Sequence, residues 1–174
     1  EMCIRDRYEY DKGLKCYSIT VDLEMIGKDK NFNMEALPEE KAERVILLLN
    51  AIQNLSLVVK GNLDNAEPIF IVGGLSDRKT HYFENVVHVK EDKLELSEDL
   101  IQKKNQGFYA GLLKGQALLN EDEIEEKLQT IGVSEFFSKL GEDVKTYFDV
   151  MSVYPKYKFF YYNLKRIIKK ALRG

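Results

Sequence analysis

The sequence predicts an α+β fold on three observations: a long amphipathic helix pattern, a continuous apolar strand after it, and a strictly alternating strand pattern before it. The first two lie in Ala42 to Leu75, AERVILLLNAIQNLSLVVKGNLDNAEPIFIVGGL. Ala42, Val45, Ile46, Leu48, Leu49, Ile52 and Leu55 recur at the i, i+3, i+4, i+7 spacing that gives a helix one wide apolar face. Pro38 suits the first helical position, where a missing N–H costs nothing, and Glu39 and Glu40 put negative charge at the positive end of the helix dipole. A helix of about four turns is expected. Gly61, Asn62, Asp64 and Asn65 then read as a turn, and Ile69 to Val72, closed by Gly73 and Gly74, reads as a strand covered on both faces.

Upstream, Tyr17, Ile19, Val21, Leu23 and Met25 alternate with Ser18, Thr20, Asp22 and Glu24, which predicts a strand with one buried face. Gly27 to Met34 is a polar loop leading to the helix. A strand, a helix and a second strand form a right-handed unit that needs further strands. Val86 to Val89 and Leu94 to Leu96 could supply a hairpin around Glu91, Asp92 and Lys93, with other partners in a missing N-terminal part. The expected arrangement is a split strand-helix-strand unit, as in a ferredoxin-like sheet.

After Ser97 helices are predicted: one marked by Ile124, Leu128 and Ile131 and ended by Gly132, a second from Ser134 to Leu140 ended by Gly141, and a third from Val144 to Val153. The tail carries Tyr154, Tyr157, Phe159, Phe160, Tyr161 and Tyr162 among Lys156 and Lys158. It closes in a helix with Leu164, Ile167, Ile168, Ala171 and Leu172 on one face and Lys165, Arg166, Lys169 and Lys170 on the other.

With 174 residues, 44% of them apolar, the chain can build a core of ordinary size. The formal charge of −3 gives no overall pull toward nucleic acid, but it is unevenly spread. Residues 154–174 hold seven of the 26 basic residues and none of the 29 acidic ones. Cys3 and Cys16 are too few for a disulfide framework, and no apolar run approaches the roughly 18 residues that span a bilayer, so a cytoplasmic location is expected. The opening EMCIRDR resembles a translated sequencing adapter rather than a secretory signal, so residues 1–7 are expected to be an artefact.

No enzyme constellation emerges. His81 and His88 lack cysteine or carboxylate companions at metal-ligand spacing, and Gly73-Gly74 lacks the surroundings of a phosphate-cradling loop. Asp22 and Glu24 would share a strand face, where two solvated acids are far commoner than a metal or proton site. Neither a metal nor another cofactor is expected. The aromatic and basic tail suits nucleic acid, since cations neutralise phosphates and aromatic faces stack on bases. A basic amphipathic helix equally suits a partner protein or a membrane surface. The second reading is therefore a stand-alone interaction or membrane-surface module docking through that helix.

The helix ERVILLLNAIQNLSLVVKGN, followed by EPIFIVGGLSDRKTHYFENVV and preceded by YSITVDLEMIG, resembles the DevR family, the guide-binding backbone subunit (Cas seven) of type I-B CRISPR Cascade complexes. The likeness covers residues 8–95. It implies a partial RNA-recognition-like, ferredoxin-type palm over residues 8–96; beyond it, the residues themselves read as a helical extension at 97–153 and a basic aromatic tail at 154–174. It further implies a non-catalytic protein that polymerises along a CRISPR guide RNA and grips its backbone, with copies of itself and the other Cascade subunits as partners and no membrane. The guide contacts carried over are Lys60, Gly61 and Asn62 in the turn and Arg78 and Lys79 after the strand. Lys156, Lys158, Lys165 and Arg166 of the tail join them on charge alone. Leu63 stands where the family usually has a basic residue.

Overall fold

The computed structural model describes residues 14–59, 62–115 and 117–153. Residues 1–7 and the tail at 154–174 fall outside that range.

Helix α1 (Pro38–Gln53) has Pro38 in its first turn beside Glu39 and Glu40, as the sequence predicts. It is 16 residues long, and Asn54 closes it by donating its backbone N–H to the Asn50 carbonyl. It ends short of Leu55 because the next residues enter a hairpin of β3 (Ser56–Val59) and β4 (Asn62–Asn65). The predicted turn is thus mostly strand: Asn62, Asp64 and Asn65 pair with Val59, Leu57 and Ser56. The apolar run before Lys60 continues the helical spacing, so periodicity alone does not separate the two.

A three-stranded mixed sheet forms the centre. Strand β5 (Phe70–Gly73) lies antiparallel to β8 (Tyr109–Leu112), and β8 lies parallel to β9 (Ile131–Gly132). The register pairs Phe70 with Leu112 and Val72 with Ala110 on one face, and Ile71 with Gly111 and Gly73 with Tyr109 on the other. The first face joins Leu94, Leu100, Leu118, Ile124 and Leu128 in the larger core. The second is covered by Phe136 of the long helix α4 (Val133–Val153). β5 is covered on both faces, as its continuous apolar run predicts.

Four further expectations are corrected. Tyr17 to Met25 forms no strand. The segment turns on itself instead: Met25 donates to the Asp22 carbonyl at 3.0 Å and Glu24 donates to the Asp22 carboxylate at 3.0 Å. Leu23 and Ile26 are tucked beside α1, while Tyr17 and Ile19 are 54% and 50% exposed. Second, the region after Ser97 is not purely helical: it holds β8, whose four consecutive apolar or small residues carry no period that would mark a strand. Third, Ile131 is a strand residue, because the helix before it, α3 (Glu121–Leu128), already ends at Gln129 in the left-handed region (φ 47°, ψ 57°). Fourth, Gly141 does not break α4. A glycine inside a helix costs about 0.5–1 kcal/mol, which is small beside burial of Phe136, Phe137, Val144, Tyr147 and Phe148 along one stripe.

The polar loop at Gly27 to Met34 contains a short ladder of β1 (Lys28–Asp29) and β2 (Met34–Glu35). It is fastened to α1 by an ion pair between Lys41 and Glu35. The expected hairpin around residue 91 is present as β6 (Val89–Lys90) and β7 (Lys93–Leu94). Its two turn residues, Glu91 and Asp92, have φ of 51° and 57°, the positive values a type I′ turn requires. Helix α2 (Glu98–Lys104) follows, with the Ser97 hydroxyl accepting from the Leu100 N–H at 3.2 Å.

The Asn120 amide holds the hairpin against α3: it donates to the Leu94 carbonyl at 2.9 Å and accepts from the Leu94 N–H at 3.0 Å. A side chain thus stands in for a neighbouring strand. Asn120→Ala should lower stability by about 1–3 kcal/mol in urea unfolding, because Leu94, 2% exposed, keeps two backbone groups without those partners. An unchanged midpoint would show that water replaces the amide at no cost.

Candidate functional site

The basic positions that the sequence singles out and the structure describes with side chains are Arg78 and Lys79, in the loop after β5. The loop leaves the sheet through Gly74, whose φ of 157° and close approach to Phe108 leave little room for a side chain (an added Cβ would lie 3.2 Å from the Phe108 ring). The chain then rises from the covered sheet to an exposed surface at residues 76–81.

At the end of this loop stands an aromatic cluster. Tyr82 stacks on Phe108 with ring centroids 5.4 Å apart and 27° between planes, and Phe83 meets both rings edge-on. Two cations attend Tyr82. The Arg78 guanidinium lies 5.5 Å and the Lys103 ammonium 4.9 Å from its ring centroid. Lys103 also donates to the Tyr82 carbonyl at 2.9 Å, and the Tyr82 hydroxyl donates to Gln106 at 2.7 Å. The ring is fixed on several sides, so Arg78 and Lys103 are presented from a firm base. Sequence reading passed over Lys103 and Tyr82, which lie far apart in the chain; the basic end of α2 was the available signal.

Lys79 is differently placed. It is 63% exposed, yet its ammonium donates to Asp22 at 2.9 Å and to Glu24 at 3.0 Å. The hydrogen bond to Asp22, then that to Glu24, holds it charged above the ordinary lysine range. Beside it, Thr20 Oγ1 and His81 Nδ1 are hydrogen-bonded at 2.9 Å. Asp22 and Glu24 do converge, but from a turn rather than a strand face, and on a lysine. Tyr147 of α4 is pushed above the usual tyrosine range, by burial first and then by the charges of Glu24 and Asp22.

The remaining candidates are not brought to this surface by anything described. Asn62 opens β4, and Lys60, Gly61, Lys156, Lys158, Lys165 and Arg166 lie outside the described residues. His88 is exposed, and its Nε2 meets the local Asn85 carbonyl at 3.2 Å. No group of three or more His, Cys, Asp or Glu side chains able to hold a metal ion occurs among the described residues. Among them, too, no helix is long and apolar enough to cross a membrane. No family model, curated protein or solved structure matches the chain.

Proposed function

We propose that the chain is a DevR-type backbone subunit of a CRISPR Cascade complex, a cytoplasmic protein that holds guide RNA by its phosphates without catalysis. In this reading the mixed sheet and its helices are part of a ferredoxin-like palm, and copies of the protein assemble along the guide beside other Cascade subunits. The observation that carries it is the cationic surface after β5. Arg78 and Lys103 flank a fixed aromatic ring, and Lys79 follows Arg78 in the same loop, after the strand where the sequence resemblance puts guide contacts. Cations there neutralise phosphates, and the indifference of that attraction to base identity suits a protein that carries many guides.

The test is binding of labelled single-stranded RNA of mixed sequence at rising salt. Affinity should fall linearly on a log–log plot and depend little on sequence. Arg78→Gln with Lys103→Gln should weaken binding about tenfold and make the salt dependence shallower, since each phosphate contact removed takes away close to 0.7 from the slope. The tail is tested separately by replacing Lys165, Arg166, Lys169 and Lys170 with glutamine. Affinity equal at low and high salt would end the RNA reading. RNA affinity untouched by the tail changes, with binding to anionic vesicles lost, would favour the membrane-surface module.

A further inference from the structure

The acidic segment before α1 lies against the proposed RNA surface and is linked to the loop there by polar contacts. Asp22 and Glu24 each place one carboxylate oxygen about 3 Å from the Lys79 ammonium, and Thr20 bonds to His81 two residues further along the same loop. Two oxygens at that distance are what a phosphodiester would offer the same cation. Ion pairs this exposed contribute little to folding, so an incoming polyanion can displace them cheaply.

The segment has no strand ladder to lose, and Leu23 and Ile26 anchor it in the α1–α4 core independently of Lys79. Turning the Asp22 and Glu24 side chains away is therefore enough to free the ammonium. We propose that residues 20–24 are an autoinhibitory strap: its carboxylates occupy Lys79 in the free protein and give way to RNA phosphates on binding. The inference rests on the RNA reading above.

The strap makes binding selective for long, densely charged strands. A single anion must compete with two tethered carboxylates, whereas an RNA engaging several cations displaces them with the strength of its other contacts. It also spares the free protein an unpaired cation in that loop.

The experiment measures affinity of the full chain for labelled mixed-sequence RNA. Asp22→Asn with Glu24→Gln should bind about fivefold more tightly than the wild type. The side-chain amide introduced at position 22 keeps an oxygen that can accept from the backbone N–H of residue 24, so the local turn is kept. Glu43→Gln with Glu126→Gln makes the same change of charge on exposed surface elsewhere and should gain less than twofold. In a Lys79→Gln background the strap substitutions should add no more than that control.

A gain equal to the control, or the same gain with Lys79 already removed, overturns the strap while leaving RNA binding standing. Absence of RNA binding by the wild type and every variant, even at low salt, overturns the RNA reading and the strap with it. Tight binding by the strap variant alone supports both.

Discussion

Phe136→Ala should cost about 3–5 kcal/mol of unfolding free energy, the range for removing a buried phenylalanine. Phe136 is 1% exposed and meets Tyr109 and Phe137 edge-on. It lies over the sheet face where glycines stand at positions 73 and 111. At those two positions there is no side chain to move into the space that the ring vacates, so collapse from that side is limited and the cost should sit high in the range. Against a total stability of roughly 5–15 kcal/mol, that is a large loss. Guanidinium unfolding checks it: the midpoint should fall with little change of slope. A loss below about 1 kcal/mol would mean that α4 re-seats on the sheet, contrary to the packing described.

Gly111→Val should also be strongly destabilising, and here two effects oppose each other. Valine suits a strand better than glycine by up to about 1 kcal/mol, so an open site would gain. At Gly111 a Cβ alone would lie 2.9 Å from the Ile71 Cγ2 methyl, 3.1 Å from the Phe136 Cβ and 3.4 Å from the Val133 Cα. The first neighbour is a stiff β-branched side chain on the paired strand, and the other two belong to α4 at or next to its backbone. Two further methyls on that Cβ would push α4 off β8, at a cost at the upper end of about 1–3 kcal/mol or beyond it. Overpacking outweighs propensity. Thermal unfolding followed by circular dichroism should show a lower midpoint, and a raised one would refute the close helix–strand contact.

What the sequence revealed depended on whether a segment's neighbours are close in the chain. α1 was legible from Pro38 and its apolar stripe because helix periodicity and the first-turn residues are local. The β6–β7 hairpin was legible because its strands are joined by a two-residue turn. Strand β8 was not, since its partners β5 and β9 are distant in sequence and its own four residues carry no pattern. Tyr17 to Met25 shows the opposite error: alternation without a ladder partner. There the Asp22 carboxylate takes the Glu24 N–H, and the chain turns. Gly141 misled because glycine weighs more in an isolated helix than in one packed along its length.

The candidate site divides in the same way. Arg78 and Lys79 were readable as cations following a strand, but what they touch was not. Lys103 reaches Tyr82 from α2, and Asp22 and Glu24 reach Lys79 from before α1. Those contacts exist only once strands and helices from distant parts of the chain are packed together.

Among the described residues two apolar clusters stand out, one shared by Leu94, Leu100, Ile124 and Leu128, the other by Ala42, Val45, Val144, Tyr147 and Phe148. The second joins the two long helices, the first and last of the described helices, with every strand from β3 to β9 lying between them in sequence. Loop closure of that span brings little reward until late, so the first piece should organise early and the α1–α4 contact should close last. The reverse path should be visible in native protein. Amides of α1 should exchange with solvent through a partial opening of lower free energy, while those of Ala110 and Leu112 should wait for complete unfolding. A partial opening of this kind would carry Leu23 and Ile26 with it, loosening the segment that holds Asp22 and Glu24 while leaving the sheet intact.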